Sequence, residues 1–149
     1  MRALLFELDG QRYGLDIAQV VKVLPFVRLR RLPGVPEYVA GVFRYRDELV
    51  PVIDLCQLIC GRPVSPLLST RLILVTHPGP SGAGRILGLL AERATDVLED
   101  AARPEPSGVA ALEAPYLGGL GASGGSMIQY VNVERLLPDD VRERLFVEN

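Results

Sequence analysis

The segment from Tyr38-Val-Ala-Gly41 to Ile59 realigns without a gap on the segment from Tyr116-Leu-Gly-Gly119 to Leu137. Tyr38/Tyr116, Gly41/Gly119 and Leu58/Leu136 are identical. Leu49/Met127, Val50/Ile128, Ile53/Val131, Asp54/Asn132, Leu55/Val133 and Ile59/Leu137 keep chemical type or shape. The period is too long for a solenoid, so the repeat predicts a pseudo-two-fold pair of one small β unit, each ending in a strand and a short helix. Looser matches extend the pairing upstream: Tyr13-Gly14-Leu15 with Leu87-Gly88-Leu89, and Val23-Leu24 with Val97-Leu98. Each half then holds about five short strands, enough for a small barrel.

Local patterns place the elements. Asp9-Gly10 between two apolar runs predicts a hairpin over 4–15. Asp16 can cap a helix in which Ile17, Val20, Val21 and Leu24 fall at i, i+3, i+4 and i+7, with Lys22 outward and Pro25 as the stop. An extended arm comes next, over 26–32. Strands are expected at 38–43 and 49–55, with Asp47-Glu48 as the hairpin tip and Pro51 at an edge, end or bulge. A short helix over 55–60 ends at Gly61. Residues 62–68 cross between halves, followed by strands at 70–76 and 86–98, the latter kinked near Arg93. Residues 78–84 and 101–108 read as loops. Strands over 116–120 and 127–133 pair as in the first half. Pro138-Asp139-Asp140 opens a last helix that turns Val141, Leu145 and Phe146 inward.

With 149 residues, 48% of them hydrophobic, the chain can build one domain or two subdomains around a shared core. No apolar run approaches a membrane span. The strand pattern starts at once after Met1 and leaves no room for a leader peptide, so a cytoplasmic location is expected. Of the 16 basic residues only Lys22 is not arginine, and net charge is −2. Arg28, Arg30, Arg31, Arg44 and Arg46 crowd one stretch that only Glu37 opposes. Such a cluster is either a solvated face or a site for planar pairing with carboxylate or phosphate. Nucleic acid is the weaker choice, because no aromatic series for stacking accompanies the arginines.

Motifs for chemistry are thin. Gly119-Leu-Gly121-Ala-Ser-Gly124 fits the dinucleotide fingerprint in letters, but the fingerprint needs a helix N-terminus after it, and Met127-Ile-Gln-Tyr-Val reads as a strand. Gly79 to Gly84 lacks the Gly-Lys-Ser/Thr of a phosphate loop. His77 is the lone histidine, beside Pro78, where an exposed imidazole is expected. Cys56 and Cys60 read as reduced thiols, and a metal would need two more ligands. Asp54 precedes a helix and Asn132 holds the equivalent place; both can cap, and only one could act as an acid. No catalytic residue, cofactor or metal is expected.

Five motifs in order carry a family resemblance: Tyr13-Gly-Leu-Asp-Ile17, Gly41-Val-Phe-Arg-Tyr-Arg46, Val50-Pro-Val-Ile-Asp-Leu55, Gly88-Leu-Leu90, and Tyr116-Leu-x-Gly-Leu-Gly with Met127, Val131-Asn132-Val133 and Leu136-Leu137. Together they resemble the CheW family of chemotaxis coupling proteins across nearly the whole chain. The resemblance implies a mainly β fold of two intertwined five-stranded SH3-like β-barrels with a few short helices. It implies one domain over 1–149, with subdomains near 15–70 and 71–135 and terminal segments crossing between them. It also implies a non-enzymatic adaptor between the cytoplasmic tip of a methyl-accepting chemoreceptor and the regulatory domain of a CheA-type histidine kinase, at receptor arrays near the inner membrane. Neither nucleic acid nor membrane insertion is implied.

By position, Val20, Lys22, Gly41, Arg44, Arg46 and Asp47 are the candidate protein-binding residues. Val20, Val42 and Leu120 are expected to line an apolar groove for the receptor helix, with Arg46 at its rim. Two departures stand out. Arg44-Tyr45-Arg46-Asp47 replaces the family's Asn-Leu-Arg-Gly, and Lys22 stands where an acid is common. They fit a specialised receptor or kinase, including a non-flagellar pathway such as surface sensing or pilus motility. A nucleic-acid-binding barrel using the arginines and a redox or metal protein using Cys56 and Cys60 are the rivals from other classes.

Overall fold

A computed structural model describes residues 2–80, 82, 84–99, 117–123 and 126–146, with the side chains of 95, 117–123 and 126 outside that description. Strands β1 (Ala3–Leu8) and β2 (Gln11–Asp16) form the expected hairpin, and Asp9 and Gly10 at its tip both take positive φ. Asp16 does act as a cap, accepting from the Ala18 N–H, but it serves only a single 3-10 turn, Ile17–Gln19.

The helix expected over 17–24 is replaced by strand β3 (Val20–Pro25). Val20 lies opposite Val75 and Lys22 opposite Leu74, which leaves Val21 as the extra residue of a bulge. Half-buried Val20 and Leu24 fall four apart in sequence and imitate a helical stripe, but the bulge puts them on opposite faces of the strand, where they pack on two different core clusters. β-Branched Val20, Val21 and Val23 favour the pleated conformation, and pairing with a neighbouring strand decides the matter.

The arm 26–32 then runs to β4 (Val39–Tyr45), β5 (Glu48–Asp54) and α1 (Leu55–Cys60), which Gly61 closes. The β4–β5 tip is Arg46-Asp47, one residue earlier than expected, because Glu48 already pairs with Tyr45. Next come β6 (Arg71–His77) and the long β7 (Arg85–Leu98). At Arg93 the φ is 52°, and the pairing register slips beside it, so the expected kink is present. Strands β8 (Leu117–Ser123) and β9 (Ser126–Val131), a 3-10 turn at Val133–Arg135 and α2 (Asp139–Leu145) complete the chain. The loop expected over 101–108 lies outside the described residues.

The kink lets β7 serve two sheets. Its first half joins the order β3–β6–β7–β5–β4, and its second half joins β7–β1–β2–β9–β8. The two orders are the same motif twice: the first is built from consecutive strands of the chain, and the second draws strands from both ends of the sequence. Their equivalence extends to single residues. Gly88 lies opposite Val52 across a parallel pair, and Gly14 lies opposite Tyr130 across another. Val52 and Tyr130 are matching positions of the repeat. A Cβ on Gly88 would meet side-chain carbons of Leu72 and Val52 at 3.0 Å, and one on Gly14 would meet Ile128 and Tyr130 at 3.1 Å. Glycine is what allows both crossings to be this close.

The largest core cluster joins Phe6, Leu15, Ile53, Ile73, Leu87 and Leu89 to Val133, Val141 and Phe146, all under 5% exposed. Each such aliphatic or aromatic side chain contributes about 1.5–3 kcal/mol by leaving water. The C-terminal helix is thus stitched into the core through Val141 and Phe146, as the sequence indicates. A smaller cluster, built on Val50, Val52, Leu72, Leu74 and Leu90, lies under the arm and receives Val27 and Leu29 from it. Arg62 ties the crossover down: its guanidinium meets Asp9 at 2.7 Å and buried Glu92 at 3.2 Å. Burial alone would raise the Glu92 carboxyl, but the Ser65 N–H and Arg62 overcome it and hold the group below its ordinary range.

Candidate functional site

Among the described residues β3 is an edge strand, paired only with β6. Val21, Lys22 and Val23 along it are exposed, and Phe26 continues the exposed apolar run where the arm begins. Val20 differs from these three because it is half buried against the main core. A strand edge with valines in solvent is a surface ready for a partner.

The other end of the same five-strand order is β4 and its hairpin. Gly41 sits there, buried, with φ of 151°. A Cβ at this position would lie 2.5 Å from the Arg30 carbonyl oxygen. The arm crosses β4 at this point, with Arg30 N–H donating to Val42 O at 2.9 Å and Val42 N–H to Arg30 O at 2.8 Å. Gly41 therefore has no side chain to offer a partner and governs where the arm lies. Arg44, Arg46 and Asp47 are exposed along the end of β4 and the tip. Arg46 holds φ of 56°, unusual for a residue with a Cβ, and its guanidinium stacks on Tyr45 at 5.3 Å. The matching position of the repeat is Gly124, outside the described residues.

The six candidate residues thus fall into two groups. Gly41, Arg44, Arg46 and Asp47 share one hairpin, and Val20 and Lys22 share the opposite edge strand. No hydrogen bond or ion pair joins the groups among the described residues. Val42 faces out beside Arg30, and Leu120 lies on β8 opposite Gln129, its side chain outside the described residues. The cross-strand contact of the arm is invisible in local patterns. Its only trace in sequence is the alternation of Phe26, Val27, Arg28, Leu29 and Arg30.

Beneath the arm lies a half-open cleft of about 460 Å³ between 31–40, α1 and Pro63. Asp54 on its wall is fully used: Oδ1 accepts from the Gln57 N–H at 3.1 Å and Oδ2 from the Val64 N–H at 2.9 Å. Asn132 caps its own turn in the same manner, accepting from the Glu134 N–H at 3.1 Å. Capping is the shared role of this pair.

His77 corrects an expectation. It is fully buried, stacked on Phe146 with ring centroids 5.3 Å apart, and its Nδ1 accepts from the Gly79 N–H at 2.9 Å. The terminal helix covers it, which a local reading of His77-Pro78 does not anticipate. Burial, with Arg142 nearby, pushes its pKa down to about 4. Cys56 and Cys60 are free thiols, and burial pushes Cys56 up to about 12 and Cys60 in the same direction. Both thus stay protonated, poor nucleophiles and poor ligands. No His/Cys/Asp/Glu group among the described residues has the grouping a metal needs. After the glycines of β8 comes strand β9, so the dinucleotide fingerprint lacks its helix.

Comparison with known proteins gives a consistent result. The family model for the CheW-like domain matches residues 2–141. The chemotaxis protein CheW of Klebsiella aerogenes is 32% identical over 149 residues, covering 98% of this chain and 86% of that protein. FrzA of Myxococcus xanthus is 32% identical over 136 residues, covering 89% and 82%. The scaffolding protein TtCheW from Thermoanaerobacter tengcongensis superposes with a TM-score of 0.75 at 23% identity, covering 94% of this chain and 89% of that one.

Proposed function

The chain belongs to the CheW-like family, and from that premise we propose that it is a non-enzymatic adaptor coupling a chemoreceptor to a CheA-type histidine kinase. The receptor contributes its cytoplasmic tip and the kinase its regulatory domain, in cytoplasmic arrays near the inner membrane. The observation that carries the reading is a pair of exposed stretches of different chemistry, the apolar run of β3 and the arginine hairpin of β4–β5. An adaptor must hold two partners at once, and these stretches lie on strands that do not pair with each other. Val20 and Lys22 act at the first surface. Arg44, Arg46 and Asp47 act at the second, and Gly41 sets the backbone behind it.

Arg46 supports the assignment further. It keeps a left-handed backbone where the repeat offers glycine, a cost of about 1 kcal/mol that stacking on Tyr45 helps to offset, and its side chain stays exposed for a partner. Modest contacts at two surfaces suffice, since arrays gain affinity from avidity. No helix of the described residues is long and apolar enough to cross a membrane. A receptor is therefore what would bring the chain to one. Lys22 and the Arg44–Asp47 stretch favour a specialised receptor–kinase pair, including one in a non-flagellar pathway. Binding of the purified chain to the cytoplasmic fragment of a chemoreceptor encoded beside it, and to the kinase regulatory domain, tests the reading. Binding to neither rejects it.

A further inference from the structure

The β4–β5 hairpin carries its own carboxylate beside Arg46. Glu48 lies directly opposite Tyr45 in the ladder, and the Arg46 guanidinium covers the Tyr45 ring at 5.3 Å. Side chains opposite each other on antiparallel strands are close neighbours, so the Glu48 carboxylate is within reach of Arg46. The two do not pair. Glu48 turns instead to Arg85, its Oε1 3.7 Å from the Arg85 Nε. Arg46 forms no ion pair with another described residue, and neither does Asp47 at the tip. The hold on Arg85 comes from the far end of the chain. Arg85 is the first residue of β7 and lies opposite His77, the last of β6. The Phe146 ring closes the end of this ladder, stacked on His77 at 5.3 Å and lying under the Arg85 guanidinium at 5.2 Å. Phe146 is 1% exposed and belongs to the main core, so the platform beneath Arg85 is fixed.

We propose that Arg85 is a positioning residue for Arg46: by engaging Glu48 it keeps the hairpin's own carboxylate off Arg46 and leaves that guanidinium open to an acidic side chain of the chemoreceptor. The inference deepens the adaptor reading and rests on it. The competition matters because a carboxylate tethered two residues away acts at millimolar effective concentration or above, which a separate partner must outcompete. Arg85 removes the competitor without touching the receptor itself. Arginine suits the position, since its flat guanidinium can lie on the Phe146 ring and still aim an N–H at Glu48; a lysine ammonium is a point charge without that planar fork. The side chain is only 25% exposed, so it is already ordered and gives up little freedom in holding Glu48. The core around Phe146 thereby reaches the recognition hairpin through two side chains, Arg85 and Glu48.

The test compares the full chain with Arg85→Gln and with Arg85→Gln/Glu48→Gln, each titrated with the cytoplasmic helical fragment of a chemoreceptor encoded beside it. Arg85→Gln should weaken binding about three- to fivefold at low salt, because the freed Glu48 turns to Arg46, and the difference should shrink at high salt. The double variant should bind within about twofold of wild type, since the competing carboxylate is gone. That rescue separates positioning from a structural role: both variants lack Arg85, so a loss caused by a loosened fold would persist in the double variant. Wild-type affinity in Arg85→Gln overturns the inference and leaves the adaptor reading standing. A double variant as weak as Arg85→Gln also overturns it, because Arg85 would then act through the fold or by direct contact. Absence of binding by the wild type fails the adaptor reading and the inference with it.

Discussion

Gly41→Ala tests the physical link between the repeat and the arm. The new methyl carbon would be placed 2.5 Å from the Arg30 carbonyl oxygen and 3.1 Å from Leu29 Cβ. Both obstacles belong to the arm, one of them backbone, so a rotamer change cannot relieve the clash. Either the arm lifts, breaking the paired hydrogen bonds between Arg30 and Val42, or alanine is held at φ of 151° against its steric preference. The first route loses two backbone bonds at about 0.5–1.5 kcal/mol each, and the strain of the second is about 1–3 kcal/mol. Lifting also uncovers part of Val27 and Leu29, so a total loss of about 2–4 kcal/mol is expected. Urea denaturation reads this out. With an m-value of about 2 kcal/mol/M, the midpoint falls by about 1–2 M. Trypsin should also cut faster after Arg28, Arg30 and Arg31 once the arm is released. A midpoint within about 0.3 M of wild type, with unchanged cleavage, would show that Gly41 does not clamp the arm.

Other perturbations address the capping pair, the buried histidine and the hairpin tip. Asp54→Ala removes two backbone hydrogen bonds from one buried carboxylate, so it should lower stability by about 1–3 kcal/mol in the same denaturation assay. His77 has a folded-state pKa of about 4, below its ordinary 6.5, so the unfolded chain takes up a proton first on acidification. Stability should therefore be full above pH 6.5 and decline as pH falls toward 4, by up to roughly 3 kcal/mol; His77→Leu should flatten that slope in a pH series of melting curves. Arg46→Gly relieves the left-handed backbone and loses the Tyr45 stacking, so stability should change by less than about 1 kcal/mol. Its binding to the receptor fragment should nonetheless weaken several-fold, and unaltered binding would remove Arg46 from the site.

Local chemistry makes part of the fold legible in the sequence. Asp9-Gly10, the α1 cap and stop at Asp54 and Gly61, and the kink at Arg93 all lie where short-range patterns put them. The repeat carries further, since matching residues such as Val52 and Tyr130 oppose matching glycines. The misreadings are non-local. β3 imitates a helix because half-buried Val20 and Leu24 happen to fall four apart in sequence, and only its pairing with β6 reveals it as a strand. His77 is buried by Phe146, which arrives from the far end of the chain. The candidate arginines are legible as a cluster, but their sorting onto one face depends on the Arg30–Val42 bridge, which no local pattern encodes.

The adaptor role stands or falls on a three-component sedimentation experiment. Receptor cytoplasmic fragments assembled on vesicles are mixed with the kinase, with and without this chain, and the pelleted kinase is measured. An adaptor should raise the pelleted kinase several-fold and be recovered in the pellet itself. Arg46→Glu, unchanged in melting temperature, should abolish most of that gain. Kinase sedimentation that does not depend on the chain would contradict the adaptor role.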